Sequence, residues 1–126
     1  MVITAKGTVL LFCEGRKTSR RDHGDVDLIM TRSMDGGQTW SKHTLIHEEG
    51  ENDPIRVGNP CPIIERDGKT IHLLFTRGGG ECFFHTKSSD EGLTWSPLKK
   101  SSDEPKAKEY SKDSFLKGFG GSPIHV

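Results

Sequence analysis

An octapeptide occurs twice in this chain. Residues 33–40 read Ser-Met-Asp-Gly-Gly-Gln-Thr-Trp and residues 88–95 read Ser-Ser-Asp-Glu-Gly-Leu-Thr-Trp, so both follow S-x-D-x-G-x-T-W, about 55 residues apart. A fixed period of this size is the mark of stacked repeats rather than of one irregular core. Within each copy the residue types suit a tight turn closing a pair of strands. Asp35 and Asp90 can accept hydrogen bonds from turn amides, and Gly37 and Gly92 can take positive φ at no steric cost. Ser33, Thr39, Ser88 and Thr94 add hydroxyls to the same turn, while Trp40 and Trp95 are expected to bury aromatic area beside a neighbouring sheet. These residues read as architecture.

The segments around the two copies run in parallel. Strand character over residues 2–4, 8–13, 26–31 and 43–47 is followed by the same order over 62–65, 70–76, 82–87 and 97–100. Residues 14–24 and 48–57 read as polar loops, and 101–117 as a charged, Ser- and Lys-rich connector. No stretch carries a helical apolar period. Two four-stranded units of roughly 50 residues fit the blades of a β-propeller, an all-β fold. The first blade is expected over 1–48 and the second over 58–100, with the first strand of a third over 118–126. Because a propeller buries each blade face against its neighbours, two blades leave faces open, and residues 1–126 read as part of a larger propeller domain.

Composition narrows the partners. Lys plus Arg and Asp plus Glu are 18 each, which argues against nucleic acid or an acidic membrane surface. No run approaches the roughly 18 apolar residues of a membrane span, and no signal-peptide pattern opens the chain. The compartment stays open. Cys13, Cys61 and Cys82 are odd in number and lack C-x-x-C spacing, so they are expected to be buried free thiols.

The richest chemistry lies in Phe12-Cys13-Glu14-Gly15-Arg16 and the following loop, which ends in Asp22-His23-Gly24-Asp25. Arginine offers a permanently charged planar fork to carboxylates and sugar hydroxyls. An acid among cations can exchange a proton with a leaving group. The octapeptide resembles the Asp box of the sialidase (neuraminidase) family. Residues 12–16 resemble that family's (F/A)-x-E-G-R strand end, and Gly58-Asn59-Pro60-Cys61-Pro62 its N-P-C-P element. Residues 118–126 are similar to its G-P-G-x-G-I-x-L element.

The resemblance implies an exo-α-sialidase that removes terminal sialic acids, with retention, from glycoproteins, glycolipids (gangliosides among them) and oligosaccharides. It implies that Asp22 is the general acid/base, that Arg16 lines the pocket near O4 and the N-acyl side of the sugar, and that Asn59 is a further pocket residue. The family's nucleophile is a tyrosine rather than a second carboxylate. Tyr110, the one tyrosine of the chain, stands in the connector and is not a candidate. The arginines that clamp the substrate carboxylate and the tyrosine are expected from other blades, one arginine in an R-I-P triplet just ahead of Met1. Sialylated glycans and those other blades are the expected partners.

Other candidates are weaker. Glu81 is taken as a residue at the pocket's border. Gly78-Gly79-Gly80 lacks the Lys-Ser/Thr of a phosphate loop and reads as a turn. Residues 48–53 do not match a calcium loop. His72 and His85 are placed to face each other across adjacent strands, with no third ligand evident. No cofactor and no metal are therefore expected. The rival reading is a non-catalytic Asp-box module that binds glycan or protein, from which Arg16 together with Asp22 distinguishes the enzyme. A third is a truncated product with no function of its own.

Overall fold

The computed structural model describes residues 1–17, 20, 24–51, 54–78, 80 and 82–101. Over these residues the chain is all-β, with no α-helix and no helix long and apolar enough to cross a membrane. Strands β1 (Val2–Ile3), β2 (Val9–Arg16), β3 (Val26–Ser33) and β4 (Thr44–His47) form one antiparallel sheet in the order β1-β2-β3-β4. Strands β5 (Val57–Ile64), β6 (Ile71–Arg77), β7 (Cys82–Ser88) and β8 (Lys99–Lys100) form a second in the order β5-β6-β7-β8. Each sheet is a simple meander, the arrangement expected of propeller blades. The expected connector beyond Ser101 and the start of a third unit over 118–126 lie outside the described residues.

Alternation along the strands makes the core. In β7 the pattern is buried at Cys82, Phe84, Thr86 and Ser88, with the intervening residues more open. One apolar cluster spans both sheets: Leu10, Phe12, Leu28 and Met30 from the first, and Val57, Ile71, Leu73, Phe75 and Phe84 from the second. The stacked rings of Phe75 and Phe84, 5.1 Å apart, meet His47 at the end of β4.

The octapeptides occupy the β3–β4 and β7–β8 turns, as their residue types require. Ser33 Oγ donates to Asp35 Oδ1 and accepts from Gly37 N, both at 2.8 Å. Asp35 in turn accepts from Thr39 N at 2.8 Å and Thr39 Oγ1 at 2.5 Å. The second copy repeats each bond through Ser88, Asp90, Gly92 and Thr94. The repeat is in fact longer than eight residues. Thr31 Oγ1 donates to Ser41 O and Ser41 Oγ accepts from Arg32 N, at 2.7 and 2.9 Å. Thr86, Ser96 and Lys87 do the same. Both boxes need left-handed backbone at two successive positions, Gly36-Gly37 and Glu91-Gly92. Glu91 bears the greater strain, and its carboxylate is held by Thr4 Oγ1 at 2.7 Å.

Several expectations are corrected. Trp95 packs edge-on against Phe12, at 5.8 Å between ring centroids and 78° between planes, but Trp40 is 42% exposed. The reason is geometric: the second box leans on the first sheet, with Gly92 against Leu10 and Met30, whereas no described sheet flanks the first box. Of the three free thiols only Cys82 is buried; Cys61 is exposed because it falls on the open side of an edge strand. Strand β2 runs on to Arg16, because Glu14, Gly15 and Arg16 pair with Leu28, Asp27 and Val26 despite their polarity. Strand β5 starts at Val57 and carries Pro60 and Pro62, tolerated because it is the edge of its sheet. Its register shifts between Gly58 and Cys61, where Asn59 takes φ 53°.

Candidate functional site

The end of the molecule away from the boxes gathers the polar groups. Arg16 closes β2 opposite Val26, while Ser33 lies at the far end of β3, about 23 Å away at roughly 3.3 Å per residue. The boxes are therefore remote from any chemistry at Arg16.

Glu14 is the hub of this end. Its Oε2 accepts from Arg16 NH2 at 3.1 Å, and its Oε1 accepts from Asn59 N at 3.0 Å and from Arg56 NH2 at 3.4 Å. The carboxylate fills the space above Gly58, where an added Cβ would stand 2.9 Å from Glu14 Cδ. Glycine at 58 thus lets a side chain from the first sheet reach the second. Arg16 also donates to Arg20 O at 2.9 Å. Asn59 is exposed, with its Nδ2 donating to Thr76 Oγ1 at 2.9 Å. The left-handed φ and the two hydrogen bonds fix its orientation, which asparagine tolerates better than most residues.

Backbone bonds stitch the two sheets at this end. Val26 forms a parallel bridge with Arg56, and Val26 N donates to Ile55 O at 3.4 Å. Gly78 N donates to Arg56 O at 2.8 Å, and Arg77 Nε reaches Glu49 Oε2 at 2.9 Å. The base of the β6–β7 loop is therefore tied to the same edge as Arg56.

Lys17 clamps the loop that follows β2. Its Nζ lies 3.0 Å from Asp25, 3.2 Å from Asp27 and 3.3 Å from Glu48, and its N–H donates to Asp25 O at 3.3 Å. The hydrogen bond to Asp25 leads the three carboxylates in holding this amine protonated far above the usual lysine range. The loop base is closed by both backbone and charge.

Of the sequence-derived candidates, the structure brings Arg16 and Asn59 to one carboxylate. Asp22 and Glu81 lie outside the described residues. Glu14, Arg56 and Lys17 were missed. Glu14 stands within the E-G-R string but in a segment that reads as loop, and Arg56 stands near the end of the other polar loop, 48–57. Among the described residues no group of three or more His, Cys, Asp or Glu is arranged to hold a metal.

Comparison with known proteins agrees with the repeat. The BNR repeat-like domain matches residues 1–126. An exo-alpha-sialidase of Arthroderma benhamiae is 32% identical over 83 residues, covering 64% of this chain and 20% of the relative. A sialidase of Clostridium perfringens is 28% identical over 135 residues, covering 94% of this chain and 35% of the relative. Sialidase-2 of Mus musculus is 26% identical over 108 residues, covering 72% and 28%. The chain thus spans between a fifth and about a third of the length of these relatives. An all-β chain of repeated four-stranded sheets, each closed by the same Asp turn, it belongs to the sialidase family of BNR-repeat proteins.

Proposed function

We propose that this chain forms two blades, about 1–48 and 58–100, of an exo-α-sialidase propeller that hydrolyses terminal sialic acids on glycoconjugates. The observation that carries this reading is the convergence of Arg16, Arg56 and Asn59 on Glu14, where the loop holding Asp22 leaves β2. In the reaction, Asp22 gives its proton to the departing glycosidic oxygen as the bond to the anomeric carbon breaks. A tyrosine oxygen from another blade takes that carbon as its own proton passes to a paired glutamate, also from another blade; Asp22 then deprotonates the water that breaks the tyrosine–sugar bond, and the glutamate returns the proton to the departing tyrosine. Glu14 neutralises the facing arginines and holds them apart. Arg16 then stays aimed at the sugar through a positioned hydrogen-bond donor. Asn59 and Glu81 complete the pocket wall.

The open sheet faces support the need for further blades. Ile3 and Leu45 are exposed on the first sheet, and Ile63 and Phe83 on the second.

The test is Asp22→Asn in a protein containing this segment within a closed propeller. Hydrolysis of a natural sialoside, whose leaving group needs protonation, should fall far more than that of an activated aryl sialoside. Equal slowing of both removes Asp22 from the acid role. Sialoside binding without turnover, indifferent to the substitution, would establish the rival reading of a non-catalytic Asp-box module.

A further inference from the structure

Asp22, the acid of the proposed reaction, stands in the stretch 18–24, which begins after Lys17 and ends before Asp25. One backbone bond closes the base of that stretch, from Lys17 N–H to Asp25 O, and at 3.3 Å it is long. The rest of the closure is charge. Lys17 Nζ lies 3.0 Å from Asp25 Oδ2, 3.2 Å from Asp27 Oδ2 and 3.3 Å from Glu48 Oε2. One ammonium therefore joins the end of β2 to the start of β3 and to the residue after β4.

Two features make this clamp depend on Lys17. The remaining oxygens of Asp25 and Asp27, both Oδ1, are buried without a hydrogen-bond partner among the described residues. Three carboxylates meeting one ammonium also repel one another, and losing the ammonium leaves that repulsion unopposed. The loop base should then spread, while the β2–β3 ladder below it, from Val9 to Arg16, stays paired.

The geometry points to Lys17 as a positioning residue for the acid, an inference that rests on the sialidase reading. Lys17 touches no substrate in this scheme. It holds the two ends of the stretch bearing Asp22 together, so that the carboxyl group stays within reach of the glycosidic oxygen. A general acid works only inside hydrogen-bonding distance of the atom it protonates. Misplacement by about 1 Å can cost about 100-fold in rate.

The test measures kcat for a natural sialoside and for an activated aryl sialoside in a closed propeller containing this segment. Lys17→Met should lower kcat about 10–100-fold for the natural sialoside and less than about 3-fold for the aryl one, which needs little protonation to depart. Lys17→Arg, which keeps the charge, should restore most of the loss. In an Asp22→Asn background, Lys17→Met should add less than about 3-fold for either substrate, because the group it positions is already gone. Asp25→Asn removes the nearest carboxylate and should reproduce the selective loss more mildly; it serves if Lys17→Met does not fold. Equal slowing of the two substrates, or a Lys17→Met loss that persists in full without the Asp22 carboxyl, overturns the positioning role. Turnover that needs Asp22 and ignores Lys17 overturns this inference alone. Absence of turnover in the unsubstituted propeller overturns the sialidase reading along with it.

Discussion

Ser88 is buried, and its hydroxyl serves three bonds: it donates to Asp90 Oδ1 at 2.8 Å and accepts from Gly92 N at 3.0 Å and, more weakly, from Asp90 N at 3.4 Å. Ser88→Ala should therefore cost about 1–3 kcal/mol, because a turn amide is left without its partner. Chemical denaturation of the variant checks this. The neighbouring glycines separate two effects that a simple turn motif would merge. Gly37 and Gly92 both have positive φ, but only Gly92 presses on another sheet, where a Cβ would meet Leu10 and Met30. Gly37→Ala should cost about 1–2 kcal/mol from backbone strain, and Gly92→Ala a further 1–3 kcal/mol or so from overpacking. Equal losses would mean that the second box does not dock on the first sheet. Acid should act through the same turns. Bonds from the Thr39 and Thr94 hydroxyls and backbone amides draw Asp35 and Asp90 down from the ordinary 3.8 to about 2, and amides of Thr70 and Lys69 do likewise for Asp67. A carboxyl lowered on folding adds stability above its unfolded value, and that stability is lost as pH falls from 3.8 toward 2. Urea midpoints of Asp90→Asn should accordingly change less than those of the unaltered chain between about pH 4 and 2.

Strands were legible where burial imposed alternation and illegible where pairing alone sustained them. Strand β7 alternates throughout and β6 as far as Phe75, and both differ from expectation by one residue at each affected end. Glu14-Gly15-Arg16 has no apolar signal, yet the ladder opposite Val26–Leu28 continues through it. Pro60 hides the first half of β5, which reads as strand only from Pro62 onward, because a proline argues against a strand unless that strand is known to be an edge. The same blind spots concealed the site. Arg16 and Asn59 could be proposed from motif likeness, but their common partner required knowing that Glu14 is strand, faces the second sheet and passes over Gly58. The box was under-read for a different reason: Thr31 and Ser41 match Thr86 and Ser96, but a Thr or Ser flanking an octapeptide carries little signal until its bonds are seen. Glu14→Gln tests the hub. It keeps the shape and the bond from Asn59 but removes the charge between Arg16 and Arg56. In a closed propeller the variant should raise KM for sialoside at least 10-fold with a smaller change in kcat, since the proposed role is in binding. An unchanged KM would make Glu14 a purely structural strut.

The two sheets share one apolar cluster, so the described molecule should unfold as a unit rather than sheet by sheet. Leu10→Ala, in β2, should cost about 2–5 kcal/mol. It should also lower a single transition reported identically by Trp40 and Trp95 fluorescence, each followed in a variant lacking the other. Separate transitions would break the shared core into two. The 126-residue chain alone should not hydrolyse a fluorogenic sialoside at a useful rate. Under the proposed mechanism it brings an acid and a pocket arginine but no tyrosine beneath the anomeric carbon, and orientation lowers a barrier only when both reacting groups are held. Turnover that disappears with Asp22→Ala would refute that division of labour. The seat of Gly92 on Leu10 and Met30 has a consequence for how such a chain is made. The second box fits against the sheet encoded before it, so the surface it needs is already complete when its own strands are synthesised. Each sheet is a local meander that closes without waiting for distant sequence. A ribosome releasing this chain from its first residue onward would thus assemble it in register, each new turn settling onto a finished sheet.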